Sequence, residues 1–330
     1  MKEKKKMQLP LVSPIYTVNH GQCFATSILH SNPSLRNWYL NNAMVLSVCR
    51  NNSEELFVPR VDICQSNIED NPYIEHQQLL LTFLNGTVNH VIRNMIDSGY
   101  YVYFGAIDDY YMRGKDGFHK YHFLHDGLII GYDQNEKTYS IYAYDYEMKL
   151  NVFNMPQICF ERARKSTERM GFCGFINAIK PMSVNVELDP QLIKKRLYEY
   201  LDPPVINNSI EKANIAYGII THQYIKKYLD LLYNNDSNLI YFDLKPFKMI
   251  FEHKQFMLER IIKIEEHFKI NDVISSKYLQ VANKAKLCWN LCLYYNITYD
   301  NNKLKKIPSL IDEIDLMEKK LLKQLLTLMD

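Results

Sequence analysis

Near residue 185 the chain changes its hydrophobic period, and that change limits the folds open to it. Up to about residue 180, short runs rich in Tyr, Phe, Val and Ile alternate with turn residues, the pattern of strands accompanied by a few helices. Beyond 185 the apolar residues recur every three or four positions, as on helices with one buried face. A chain with both periods is neither all-α nor all-β. The pattern predicts an α+β domain over 1–182 and an all-helical bundle over 183–330, in keeping with a length of 330 residues.

Local signals fix several elements. Cys23 to His30 follows Gly21-Gln22 and is expected to open a helix after a tight turn. Thr87 to Ser98 places Val88, Val91, Ile92, Met95 and Ile96 on one helical face, with Gly99 suited to the C-terminal stop. Tyr100 to Ile107 reads as a strand. Leu124 to Tyr132 and Thr138 to Tyr144 read as a hairpin about the polar Asp133 to Lys137, and Phe172 to Ile179 as a last strand. In the second half, Asp189-Pro190 is a helix entry leading to Leu201. Further helices are predicted over about Ser209 to Tyr233, from Pro246 to Phe268, after Asn271, and from Ser309 to Met329. The polar run Asn234 to Ser237 separates two of them, and Asp312 completes a capping box at the last.

Charge and cysteine usage exclude several function classes. The 39 basic and 37 acidic residues leave a net charge of +2, spread over both halves, so the basic excess of a nucleic-acid binder is missing. The seven cysteines are scattered without CxxC or any Cys/His metal spacing, which predicts free thiols in a reducing compartment and no metal. Lysines near the start are followed by a stretch broken by Pro10, Pro14, Asn19 and His20, which is no secretion signal. No apolar run approaches the roughly 20 residues of a membrane span, so a cytoplasmic protein without a membrane partner is expected.

Nucleophilic thiol chemistry needs a cysteine with a stabilised thiolate, a histidine that exchanges its proton, and a group that orients the histidine. Cys23, expected at a helix start, lies where the dipole favours a thiolate. The predicted hairpin returns Asp145 to a position beside His125, which completes a Cys23-His125-Asp145 triad. His119 and His122 compete with His125, since a one-residue register slip exchanges the facing set. Asp133 caps the hairpin turn. Asp108, Asp109 and Tyr110 read either as substrate-lining residues or as a solvated turn.

The run Gly-Gln-Cys-Phe-Ala-Thr-Ser at 21–27, His125-x5-Gly131-Tyr132-Asp133 on one strand and Asp145 ending the next resemble the papain-like superfamily in its C39-peptidase-like form. Gly99 to Val102, Asp108 to Tyr111 and His122 to Asp126 are similar, more closely, to the butirosin acyltransferase N-terminal domain family and the papain-fold amide-forming enzymes of closthioamide biosynthesis. So are Ala216 to Ile219 and Glu252-His253-Lys254 in the helical half. The resemblance implies a papain-like fold, with the cysteine on a helix packed against an antiparallel sheet that carries His and Asp. Cys23 would be nucleophile, His125 base and Asp145 orienting acid. In one respect the chain departs from papain-like peptidases: the oxyanion-hole Gln several residues before the cysteine is replaced by Thr17, and Gln22 directly precedes Cys23. The Cys23 backbone N–H is then one expected oxyanion donor, with Gln22, Asn19 or His20 as the second, and with Asp109, Tyr110 and His122 as residues lining the substrate.

Three functions follow as expectations. The first is an acyltransferase of specialised metabolism that moves an acyl or peptidyl group from a carrier-protein thioester through acyl-Cys23 to a small amine. No cofactor is implied, because phosphopantetheine would arrive on the carrier protein. The second is a cysteine peptidase acting on a peptide or leader sequence. The third is a binding or scaffold module without catalysis.

Overall fold

The computed structural model describes residues 5–49, 59–84, 86–147, 149–203, 215–233 and 242–330. In chain order the elements are β1 (Lys6–Gln8), α1 (His20–Ser27), α2 (Leu35–Asn42), β2 (Leu46–Cys49), β3 (Arg60–Ile63), β4 (Ile74–Leu80), α3 (Val88–Asp97), β5 (Tyr101–Asp108), β6 (Leu124–Asp133) and β7 (Thr138–Tyr144). There follow β8 (Leu150–Pro156), α4 (Gln157–Arg169), β9 (Phe175–Pro181), α5 (Pro190–Leu201), β10 (Ile215–Tyr217), α6 (Thr221–Tyr233), α7 (Lys245–Phe268), α8 (Val273–Thr298), α9 (Asn301–Leu304) and α10 (Ile307–Leu328). The architecture is mixed α+β, with an antiparallel sheet and a helical C-terminal region. No helix of the described residues is long and apolar enough to cross a membrane.

Two compact units make up the chain, and they are not contiguous. The first comprises Met1–Leu35 and Asn67–Asn185, the second Arg36–Ser66 and Val186–Asp330. The expected boundary near 183 therefore describes one crossing of the chain and misses the excursion over 36–66.

The first unit is built on a sheet of order β4-β9-β5-β6-β7-β8, all antiparallel, with β1 added beside β6. Asp133 closes the β6–β7 hairpin by accepting the Asn135 and Glu136 backbone N–H groups at 3.0 and 3.1 Å. β6 outruns β5, and β1 takes the edge β5 leaves, with Gln8 opposite Gly131. A Cβ at Gly131 would stand 2.4 Å from the Met7 carbonyl oxygen, so this position requires glycine. Alternation along the strands puts Tyr103 and Tyr142 on one face, where Phe24 of α1 packs at 5.6 and 6.1 Å between ring centroids. The opposite face carries Phe104 and Tyr139 against Phe160 of α4, and the Tyr139 hydroxyl donates to Asn89 of α3. α1 thus covers one side of the sheet and α3 with α4 the other. β4 and β8 are edge strands with mostly exposed or half-buried residues, and neither carries a clear two-residue alternation.

The second unit is helical but not all-helical, because β10-β2-β3 forms a three-stranded antiparallel sheet within it. The helix predicted from Ser209 begins at Thr221, after β10; residues 209–214, like the expected break at 234–237, lie outside the described residues. Asp189 caps α5 as predicted, accepting the Leu192 N–H at 2.9 Å. The last long helix starts at Ile307 with Pro308 in its first turn, so Asp312 lies inside the helix and pairs with Lys226 instead of completing a capping box. Arg260 of α7 is buried and donates to the Tyr39, Leu40 and Ala43 carbonyls at the end of α2. Glu265 plays the mirror role at the start of α8, accepting the Ile274 N–H at 2.7 Å.

Deep in this unit lies a polar network. The Lys254 ammonium donates to Glu318 and to the Tyr200 hydroxyl, each at 2.7 Å, and the Tyr200 and Tyr278 hydroxyls donate to the same carboxylate. Lys254 and Glu318 have no exposed surface. Burial raises the Glu318 carboxyl, but Lys254, His222 and the hydrogen bonds it accepts hold it below the usual range. Burial in turn lowers the Lys254 ammonium.

Candidate functional site

The first unit assembles the site from α1, the end of β5 and the start of β6. Asn19 is extended, with φ −110° and ψ 136°, so α1 begins at His20 and takes Gly21 and Gln22 into its first turn. Cys23 is consequently the fourth helical residue, and its N–H donates to the Asn19 carbonyl at 2.9 Å. That corrects two expectations: the helix does not open at Cys23, and the Cys23 N–H serves the helix ladder instead of an oxyanion hole. Cys23 is fully buried. Its sulfur lies 3.9 Å from the Ser27 hydroxyl, which donates to the Cys23 carbonyl at 2.8 Å and to the Tyr142 hydroxyl at 3.3 Å. The Tyr142 phenol is pushed up, first by burial and then by the Cys23 thiol to which it hydrogen-bonds.

His125 is oriented by Asp109. Its Nδ1 lies 2.8 Å from Asp109 Oδ2, with the imidazole about one quarter exposed and the carboxylate buried. The sequence places this acid by a simple route. β5 ends at Asp108, the chain turns through a 3₁₀ turn at Asp109–Tyr111, and the next strand returns antiparallel, with His125 opposite Ile107. The Asp109 N–H donates to the Phe123 carbonyl at 2.8 Å, which ties the turn to the returning strand. A carboxylate on Nδ1 fixes the tautomer that leaves a lone pair on Nε2. From α1, the His20 ring packs edge-on against His125 with centroids 4.9 Å apart.

Asp145 occupies a different place. It accepts the Glu147 and Lys149 N–H groups at 2.9 and 3.0 Å at the start of the β7–β8 turn. Although desolvation raises its carboxyl, these backbone bonds and Asn151 hold it below the usual range. The paired register of β6 and β7 ends at Leu128 opposite Tyr142, three residues short of His125. The expected neighbour relation between His125 and Asp145 depended on that ladder running further. Pairing β5 with β6, as consecutive strands commonly pair, would have pointed to Asp109.

No motif in the sequence singles out Lys115. Its ammonium is buried, and neither its Nζ nor Asp109 Oδ1 has a hydrogen-bond partner among the described residues. Burial lowers the Lys115 ammonium, opposed by the charges of Asp109, Asp126 and Asp145. Asp126 accepts from the Tyr103 hydroxyl at 2.9 Å and from Ala106 N–H at 3.2 Å, bracing a β-bulge where Ala106 has φ +55°.

A second Asp–His pair adjoins the first. Asp108 is fully buried; Oδ1 accepts the Tyr110 N–H at 3.1 Å and Oδ2 lies 2.8 Å from His122 Nδ1. His122 stacks on Tyr110 at 4.5 Å, whereas His119 stacks on Phe118 at 4.1 Å. Of the other proposed oxyanion donors, Gln22 is buried within α1 and Asn19 is its N-cap residue. Among the described residues no group of three or more His, Cys, Asp or Glu is placed to hold a metal ion. No family model matches the chain, and no curated protein matches it.

Proposed function

We propose that this protein is a cysteine-dependent acyltransferase with a papain-like catalytic unit, and that it forms an amide from a carrier-protein thioester and a small amine. The observation that carries this reading is the 2.8 Å contact between His125 Nδ1 and Asp109, with His20 of the Cys23-bearing helix against the same imidazole. Asp109 takes the orienting role first expected of Asp145.

In the first half-reaction the Cys23 thiol passes its proton to His125 Nε2 and its sulfur attacks the thioester carbonyl. The new C–S bond forms, the bond to the carrier's thiol breaks, and the leaving sulfur takes the proton from His125. The resulting acyl-Cys23 is then attacked by the amine; a C–N bond replaces the C–S bond, and Cys23 recovers its proton through His125. Exchange of a thioester for an amide is downhill and requires no ATP. Acylated carrier protein incubated with an amine is expected to yield an amide that vanishes in Cys23→Ala. Retained activity in that variant would overturn the proposal, and peptide cleavage without an amine would favour a peptidase.

One observation favours the scaffold reading: Cys23 is fully buried, so an acyl group must displace the side chains covering it. Under that reading, wild-type protein incubated with a thioester gains no acyl mass.

A further inference from the structure

We infer that His122, held by Asp108, is a second base that deprotonates the amine acceptor, and that Tyr110 and Tyr111 wall the subsite where a protonated primary amine docks. The inference rests on the acyltransferase reading and extends it to the acceptor. Asp108 and Asp109 are consecutive residues, with α-carbons about 3.8 Å apart. Each captures the Nδ1 of one histidine at 2.8 Å, His122 and His125 respectively. The two imidazoles thus hang from one turn in the same tautomer, each with Nε2 as its basic nitrogen. Capping the Tyr110 N–H occupies one oxygen of Asp108; the other is committed to an imidazole 52% exposed on its side chain. A buried carboxylate behind a solvent-facing histidine is the arrangement of an oriented base. Tyr110 lies nearly parallel to that ring, at 4.5 Å and 21°, and Tyr111 stands 6.4 Å away. Aromatic faces next to a carboxylate attract an ammonium group.

The chemistry calls for two bases. An alkylamine arrives as R–NH3+, without a lone pair. Its first proton passes to His122 Nε2, and the freed pair forms the C–N bond to the acyl carbon. The nitrogen, positive again, loses a second proton to His125, which hands it to the departing Cys23 sulfur as the C–S bond breaks. The products are the amide, the Cys23 thiol and one proton on His122, which returns it to solvent. Attack by water would need His125 alone.

The test follows both half-reactions in the full-length protein. S-acetyl pantetheine is the donor, thiol release reports acylation, and propylamine or methoxyamine is the acceptor; methoxyamine is uncharged at neutral pH. In His122→Asn the side-chain amide keeps the bond to Asp108 but carries no base. Expected are thiol release within about twofold of wild type, propylamide formation lower by about 10²-fold or more, and a much smaller defect with methoxyamine. An equal defect with both amines, or none with either, overturns the second base. Loss of thiol release by the same factor as amide formation also overturns it, because His122 would then serve the first half-reaction. Absence of thiol release from the wild-type protein would instead sink the acyltransferase reading itself, and the inference with it.

Discussion

Replacing Lys254 by Met isolates the energetics of the buried network. The substitution keeps the apolar stem and removes the ammonium that lies 2.7 Å from Glu318 Oε2. Glu318 is then left, at a site without exposed surface, with the Tyr200 and Tyr278 hydroxyls and with His222, whose Nε2 stands 3.8 Å from Oε2 and whose own burial disfavours a charge. The carboxylate can stay charged, at the several kcal/mol of an uncompensated buried ion, or take up a proton. Protonation sets the upper limit. With an unfolded-state value of about 4.3, holding the carboxyl neutral at pH 7 costs about 3.7 kcal/mol, and at pH 5 about 1 kcal/mol. The signs are opposite in the two proteins. In the wild type the folded value is lowered, so the contribution of Glu318 is present above the ordinary carboxylate range and is lost as pH falls through the folded value. In Lys254→Met the folded value is raised, so the penalty grows as pH rises, by about 1.4 kcal/mol per unit. Both tryptophans, Trp38 and Trp289, belong to the second unit, so their fluorescence during urea unfolding follows the unit that holds the network. Adding Glu318→Gln should recover most of the stability and abolish its pH dependence. A loss below about 1 kcal/mol at pH 7, or an equal loss at pH 5 and 7, would refute this reasoning.

Asp109→Asn should lower acyl transfer by about 10³- to 10⁴-fold by freeing the imidazole tautomer, while Asp145→Asn changes it only a few-fold; kcat for the two variants side by side identifies the orienting acid. Lys115→Met should raise stability by about 1 kcal/mol or more at pH 7 by removing a buried cation without a hydrogen-bond partner among the described residues. Because burial lowers the folded value of Lys115, its cost is full below that value and fades as pH rises toward the unfolded one, so the gain in melting temperature should shrink in alkali. Gly131→Ala should cost about 1–3 kcal/mol, since the added carbon would meet backbone atoms at Met7 and Gln8. Faster hydrogen exchange at the Leu9 N–H, which donates to the Ile130 carbonyl at 2.7 Å, would report β1 leaving the sheet.

Where one local signal governs an element, the sequence is legible. The apolar stripe of Thr87 to Ser98 became α3, ended by Gly99 at φ +83°, and β6 and β7 emerged about the Asp133 turn. Asp189 capped α5, and α7 and α8 lie within two residues of their predicted starts. β4, with the exposed run Glu-His-Gln-Gln at 75–78, is a strand by virtue of its partner β9 and carries no signal of its own. β2 and β10 are stabilised by a pairing far apart in sequence, which no local window contains. The candidate site follows the same division. Cys23 and His125 stand out as residue types in a motif, but the choice between Asp145 and Asp109 depends on where the ladder between β6 and β7 stops.

The excursion of residues 36–66 into the second unit gives the chain an order of assembly. β2 and β3 leave the ribosome together, yet β10, which pairs Ile215 with Cys49, follows only after the remainder of the first unit has been made. At about 5–20 residues per second that delay is on the order of ten seconds. For that interval the β2–β3 ribbon must persist with one long edge bare, and a two-stranded ribbon alone is marginal in water. A cut at residue 185 would make the interval permanent: the N-terminal fragment would carry the β2–β3 ribbon without β10, and the C-terminal fragment would lack α2, whose end Arg260 is built to hold.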